Sequence, residues 1–268
     1  MSDGRPGASW EFENEHYLLA VKKFDAEREL GRSSSPWPPT LRALRRVTFE
    51  ISNICNYANQ HRKCPASWAK RRLVLPASIV QRCLTELGEA GFSGIIAFHR
   101  YNEPLIDPRF GHFVGMVRAR CPDASIVVLT NGFVLCQQML DDLGEMGVRL
   151  ITASAYSKRE FERLSAMNAS FPYRVFRSDL DDRRGIYDNN LVLDLRLACG
   201  APYADLIVNA QGSVSLCCMD WDDRVTFGDL RQESLSAIIS SPIMVEVASD
   251  LRAGHRKLDL CRRCAMRR

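Results

Sequence analysis

"RVTFEISNICNYANQHRKCP" (residues 46–65) sets an apolar, β-branched run directly against a loop with two cysteines. "RVTFEIS" (46–52) has the length and the Val, Thr, Phe and Ile content of a strand. Cys55 and Cys64 follow it, nine positions apart, and His61 stands three before the second. Thiolates ligate soft metals and iron–sulfur clusters, and imidazole can replace a thiolate on such an iron. Two cysteines alone leave a loop that merely carries two thiols equally open.

Three comparable runs follow: "GIIAFH" (94–99), "SIVVLT" (125–130) and "RLITASA" (149–155). Between them, segments near 76–90, 109–121 and 135–146 have helical periodicity, which is the grammar of βα units around a parallel sheet. "NLVLDLRL" (190–197) predicts one more strand. Parallel α/β folds place ligands at the carboxyl ends of their strands. The residues to weigh are therefore the Cys55/Cys64 loop, "YNEP" (101–104), "TNG" (130–132) and "SAYS" (154–157). Ahead of the sheet, "EHYLLAVKKFDAEREL" (15–30) has helical spacing and "GRSSSPWPP" (31–39) reads as a stiff linker.

The chain has 268 residues, 46% hydrophobic and 25% charged, which suits one large domain with an appendage. Its opening "MSDGRPGASWEFENEHY" is polar and lacks the apolar segment of a signal peptide, so a cytoplasmic location is expected. In a reducing compartment ten cysteines point to metal or redox chemistry rather than to disulfides. No apolar run is long enough for a membrane span. The formal charge of +4 is spread out except at "RALRR" (42–46), "AKRR" (69–72) and "RRCAMRR" (262–268). These clusters read as solvated faces, or as contacts to an anionic group on a substrate. Without interleaved aromatics they do not support nucleic-acid binding.

Beyond residue 198 the texture changes. "LIVNAQGSVSLCC" (206–218) reads as two strands joined by Ala-Gln-Gly, and "ESLSAIIS" and "IMVEVASDLR" as short helices before "CRRCAMRR". Cys199, Cys217, Cys261 and Cys264 form C-x17-C…C-x2-C. So small a segment gains from a bound metal, and four thiolates suit zinc or an iron–sulfur cluster alike. Cys83, Cys121 and Cys136 sit in helical segments and read as small buried thiols. Asp220, Trp221 and Asp222 read either as a sugar-binding surface or as a turn.

The order of these motifs resembles the radical SAM superfamily over roughly residues 46 to 264. The resemblance implies a partial (β/α) barrel over 41–198, an N-terminal helical extension and linker over 1–40, and a small α+β cluster domain over 199–268. It implies two [4Fe–4S] clusters and S-adenosylmethionine as cofactors. The family's first loop has C-x3-C-x2-C, whereas this chain has C-x5-H-x2-C, which makes His61 the candidate third ligand beside Cys55 and Cys64. The motif after the second strand implies cofactor contacts from Tyr101, Asn102 and Glu103, the last toward the methionine amino group. Later strand ends imply contacts from Thr130, Asn131 and Ser154.

The C-terminal pattern is similar to the twitch domain, a shortened SPASM domain whose four cysteines hold one auxiliary cluster. That assigns Cys199, Cys217, Cys261 and Cys264. Cys218 follows Cys217 at a strand end and points to the opposite face. In antibiotic-pathway sugar epimerases, which this chain resembles, a cysteine thiol donates a hydrogen atom to the substrate radical. An epimerase using Cys218 is therefore the first expectation. Its alternative is a dehydrogenase, like the deoxy-scyllo-inosamine dehydrogenase of the same group, oxidising a secondary alcohol of a cyclitol or sugar through the auxiliary cluster. A non-catalytic zinc- or cluster-binding assembly protein is the alternative of another class. The enzymatic readings imply a small-molecule or oligosaccharide substrate and an external electron donor such as flavodoxin or ferredoxin, with no nucleic-acid or membrane partner.

Overall fold

The structure is a computed structural model that describes residues 39–61, 64–178, 196 and 198–264. The expected helix at 15–30 and strand at 190–197 lie outside the described residues, apart from Arg196. Among the described residues eight strands form one sheet in the order β5-β4-β3-β2-β1-β6-β7-β8. Their ranges are β1 Arg46–Phe49, β2 Ile95–Ala97, β3 Ser125–Thr130, β4 Val148–Ala155, β5 Tyr173–Arg177, β6 Asp205–Val208, β7 Ser213–Ser215 and β8 Thr226–Asp229. From β5 through β1 to β6 every pairing is parallel; β7 and β8 add to the edge antiparallel.

Helices α1 (Ala77–Glu89), α2 (Phe110–Arg120) and α3 (Gln137–Glu145) follow β1, β2 and β3, close to the segments expected from periodicity. Two elements of this half have no counterpart in the sequence reading: α4 (Lys158–Ser165) and the edge strand β5. Successive strand residues face opposite sides of the sheet. Ile96, Ile126, Val128 and Ile151 accordingly join the core under the helices, while Ile95, Val127 and Leu150 form a separate patch on the other face.

The segment after residue 198 continues this sheet. β6 pairs with β1 from Arg46↔Asp205 to Phe49↔Val208, and the Arg45 guanidinium reaches the Asp205 carboxylate at 3.3 and 3.0 Å. The β6–β7 turn falls at Ala210–Gly212 as expected. Asn209 Oδ1 accepts from Gln211 N at 3.0 Å and Ser213 N at 2.9 Å, and Gly212 takes φ 89°, a left-handed conformation that suits glycine.

Helices α5 (Leu235–Ile239), α6 (Pro242–Arg252) and α7 (Asp259–Arg262) complete the segment. The Glu86 carboxylate, from α1, accepts from Leu235 N at 3.0 Å and Ser236 N at 2.9 Å, so the barrel half caps the start of α5. One hydrophobic core runs through both halves, from Val47 and Leu84 to Leu206, Leu235 and Leu260. Among the described residues no helix is long and apolar enough to cross a membrane.

Shared core and shared sheet imply shared stability. Leu206, wholly buried in β6, should cost about 3 kcal/mol when cut to Ala. Leu206→Ala is expected to lower the urea midpoint of the whole chain in one transition. A separate early step confined to the C-terminal segment would contradict this.

Candidate active site

The strand ends bring the singled-out loops to one edge of the sheet. After β1, turns at Cys55–Ala58, Tyr57–His61 and His61–Cys64 wind the first loop back on itself. His61 and Cys64 are buried and Cys55 is half-buried. The His61 ring lies 6.1 Å from the Tyr156 ring, which also packs on Tyr57 at 5.0 Å. The Tyr57 hydroxyl donates to Glu160 on α4. Burial first, and then the Glu160 carboxylate, hold its pKa above the usual phenol range. Asn131, after β3, reaches the same loop: its Nδ2 lies 2.7 Å from Asn56 Oδ1 and 3.9 Å from Cys55 Sγ.

Glu103 ties the second loop to the third. Its carboxylate accepts from Leu105 N at 3.1 Å, Thr130 Oγ1 at 2.7 Å and Asn131 N at 2.6 Å. An ionised carboxylate has roughly four acceptor positions, so one is left over. Burial pushes the Glu103 carboxyl up to about 6, against the pull of these three donors. The next turn is closed by Gly132, whose φ of 67° suits glycine, and a Cβ placed there would lie 2.7 Å from Leu164 Cδ1. Asn102 is spent within its own loop, bonding Arg100 N and Phe98 O. Ser154 is half-buried in β4 opposite Phe176 of β5.

The third group was not legible in the sequence. Glu50, directly after β1, and Arg100, after β2, form a buried pair at 3.3 Å, and Arg100 Nη2 also meets Asp223 at 2.9 Å and donates to the Asp220 carbonyl. Tyr101 extends the contact, its amide donating to Glu50 and its hydroxyl to the Cys218 carbonyl. Burial alone would lower the Arg100 pKa, but Glu50 and Asp223 hold it above the ordinary value. Burial raises the Glu50 carboxyl, partly offset by Arg100. Asp220 is wholly buried and caps the following turn, accepting from Arg224 N and Val225 N. Of its two readings, the turn describes it. Trp221 packs edge-on against Trp68, four residues past Cys64.

The C-terminal cysteines come together. Cys199, Cys217, Cys261 and Cys264 line one cavity with Leu216, Leu251, Leu260 and Arg256 among its walls. Cys218 does not line it. Burial, and then the neighbouring Cys199 and Cys264, push the Cys261 thiol up to about 12. Four sulfur donors lining one cavity fit an iron–sulfur cluster. Among the described residues no three His, Cys, Asp or Glu side chains converge to single-ion spacing, in this set or around Cys55 and Cys64. Cys83 and Cys121 are buried as expected, but Cys136 is exposed. It occupies the N-cap of α3, ahead of the inward stripe formed by Leu140 and Leu143.

In fold and site the chain is similar to an S-adenosylmethionine-dependent enzyme and, over its C-terminal segment, to an iron–sulfur cluster-binding domain. Residues 199–265 match the SPASM iron–sulfur cluster-binding domain. Over 230 residues the chain is 28% identical to the S-adenosyl-L-methionine-dependent 2-deoxy-scyllo-inosamine dehydrogenase of Niallia circulans, across 81% of this chain and 91% of that protein. The crystal structure of BtrN in complex with AdoMet and 2-DOIA is 25% identical with a TM-score of 0.71, covering 83% of this chain and 93% of that one. Native anSMEcpe with bound AdoMet, 10% identical over 75% of this chain and 82% of its own, shares the fold with a TM-score of 0.53.

The Glu103 carboxyl gives a pH test. A carboxyl raised in the folded state binds its proton more tightly there. Its contribution is present below the ordinary 4.5 and lost as pH rises through about 6. From well below the lower value to well above the upper one, the wild type should lose roughly 2 kcal/mol relative to Glu103→Gln, read by urea denaturation. Parallel pH profiles would contradict the assignment.

Proposed function

We propose that this chain is a radical SAM dehydrogenase that oxidises a secondary alcohol of a cyclitol or sugar. The observation that carries the reading is the cavity ringed by Cys199, Cys217, Cys261 and Cys264, of which Cys217 lies just past β7, two strands along the sheet from the β1 that leads into the Cys55 loop. The similarity to the inosamine dehydrogenase over 81% of the chain favours this alternative over the epimerase first expected from Cys218. It also weighs against a non-catalytic assembly protein.

In this reading Cys55, Cys64 and His61 hold the first cluster. Glu103, Thr130, Asn131 and Ser154 contact S-adenosylmethionine, Tyr101 and Asn102, expected there too, serve instead to fix the strand-end loops, and the four C-terminal cysteines hold the auxiliary cluster. When bound, these groups supply hydrogen-atom abstraction at the first site and one-electron acceptance at the second. Reducing equivalents come from an external carrier of the flavodoxin or ferredoxin class.

The polypeptide's part is positioning. Glu103 fixes the second and third loops to one another and keeps one acceptor position for the cofactor's ammonium group. Asn131 braces the Cys55 loop from the other side. Arg100 and Tyr101 hold the Cys217–Asp223 turn over the strand ends, which sets the relation between the two cysteine constellations. Held geometry of this kind favours one reaction course over side reactions. A second reading, epimerisation with Cys218 as hydrogen donor, draws support from the position of Cys218 outside the four-cysteine cavity.

Anaerobically reconstituted protein should be supplied with S-adenosylmethionine and 2-deoxy-scyllo-inosamine, other cyclitols or amino sugars. Cys217→Ala/Cys261→Ala is expected to keep forming 5′-deoxyadenosine while ketone falls to background. Ketone formation at the wild-type rate without these two cysteines would contradict the proposed role of the C-terminal site.

A further inference from the structure

Among the described residues that line the four-cysteine cavity, Arg256 is the one charged side chain. It is only 8% exposed, a costly position for a guanidinium unless it has a task there. The turn after α6 carries it inward: Gly254, at φ 80°, reverses the chain, so that His255 and Lys257 lie outside against Asp250. Arg256 Nη1 donates to the Cys264 carbonyl and lies 3.5 Å from the Cys261 carbonyl. One buried cation thus bonds the backbone of both cysteines of C-x2-C while forming part of the wall of their cavity.

We infer that Arg256 is a positioning residue that sets the redox poise of the auxiliary cluster, favouring its reduced state. The inference rests on the cluster assignment made above and deepens it. Adding an electron to a thiolate-ligated cluster makes the site more negative. A fixed positive charge in a low-dielectric wall stabilises that form more than the oxidised one. A site meant to take an electron gains from such a cation. A purely structural site gains nothing from the charge beyond hydrogen bonding.

The test is potentiometry on reconstituted protein, with Cys55→Ala/Cys64→Ala protein used to assign which paramagnetic signal belongs to the C-terminal cluster. For Arg256→Gln, the reduction equilibrium of that cluster should fall about tenfold or more, about 59 mV for a one-electron couple. The N-terminal cluster should be unmoved. Arg256→Lys, which keeps the charge, should stay within about threefold of wild type by the same relation. If Arg256→Gln fails to hold the cluster while Arg256→Lys holds it at the wild-type potential, the role of the charge is also supported. An unmoved potential in Arg256→Gln, or loss of the cluster in both variants, would overturn the inference and leave a hydrogen-bonding role only. Wild-type protein with no second reducible cluster would overturn the inference together with the assignment beneath it.

Discussion

The buried Arg100 guanidinium holds the two cysteine constellations in one frame. It stands between Glu50 at the end of β1 and Asp223 in the turn before β8, and it also bonds the Asp220 carbonyl. A buried cation with two carboxylates and a carbonyl around it is compensated. The same cation with a partner removed is not, and breaking such pairs typically costs about 3–5 kcal/mol. The sheet brings β7 alongside β6, but strand pairing alone leaves the turn beyond it free to take several courses. Arg100 and Tyr101 select the course that lays Cys217 and Cys218 over the ends of β1 and β2.

From that frame the division of labour follows. The barrel half supplies loops fixed to one another by buried polar groups, with Glu103 bridging the loops after β2 and β3. The C-terminal half supplies the four-cysteine cavity, sealed by leucines and by Arg256. The larger hydrophobic core among the described residues is shared between the halves. Val47 and Leu206 belong to the same hydrophobic cluster, and Glu86 of the first half caps a helix of the second. A short segment that would gain little from its own burial is stabilised by continuing a larger sheet.

Much of this was legible because it is periodic or closely spaced. Strands β1 to β4 and helices α1 to α3 announce themselves by apolar runs and helical stripes. The spacing of Cys199, Cys217, Cys261 and Cys264 marks a shared site before any fold is known. Strand β5 was missed because it is an edge strand, half-exposed throughout, with arginines at its second and last positions. Helix α4 was missed because it buries only Leu164 and is otherwise largely charged. The buried charges escaped for a different reason. Glu50 and Arg100 lie fifty residues apart, and Arg100 and Asp220 a further 120, so no local pattern records their meeting. Arg256 stands between His255 and Lys257, outside the basic clusters of the sequence, and only the fold turns it inward.

The central claim is that a substrate carbon gives up hydrogen at the first site and that the chain then completes an oxidation. Product analysis in deuterium oxide tests it most directly, because a cysteine thiol exchanges with solvent and delivers solvent hydrogen to carbon. The account predicts a ketone, formed in step with 5′-deoxyadenosine, and no epimer carrying deuterium. An alcohol of inverted configuration with one deuterium at the reacting carbon would contradict it and transfer the final step to Cys218.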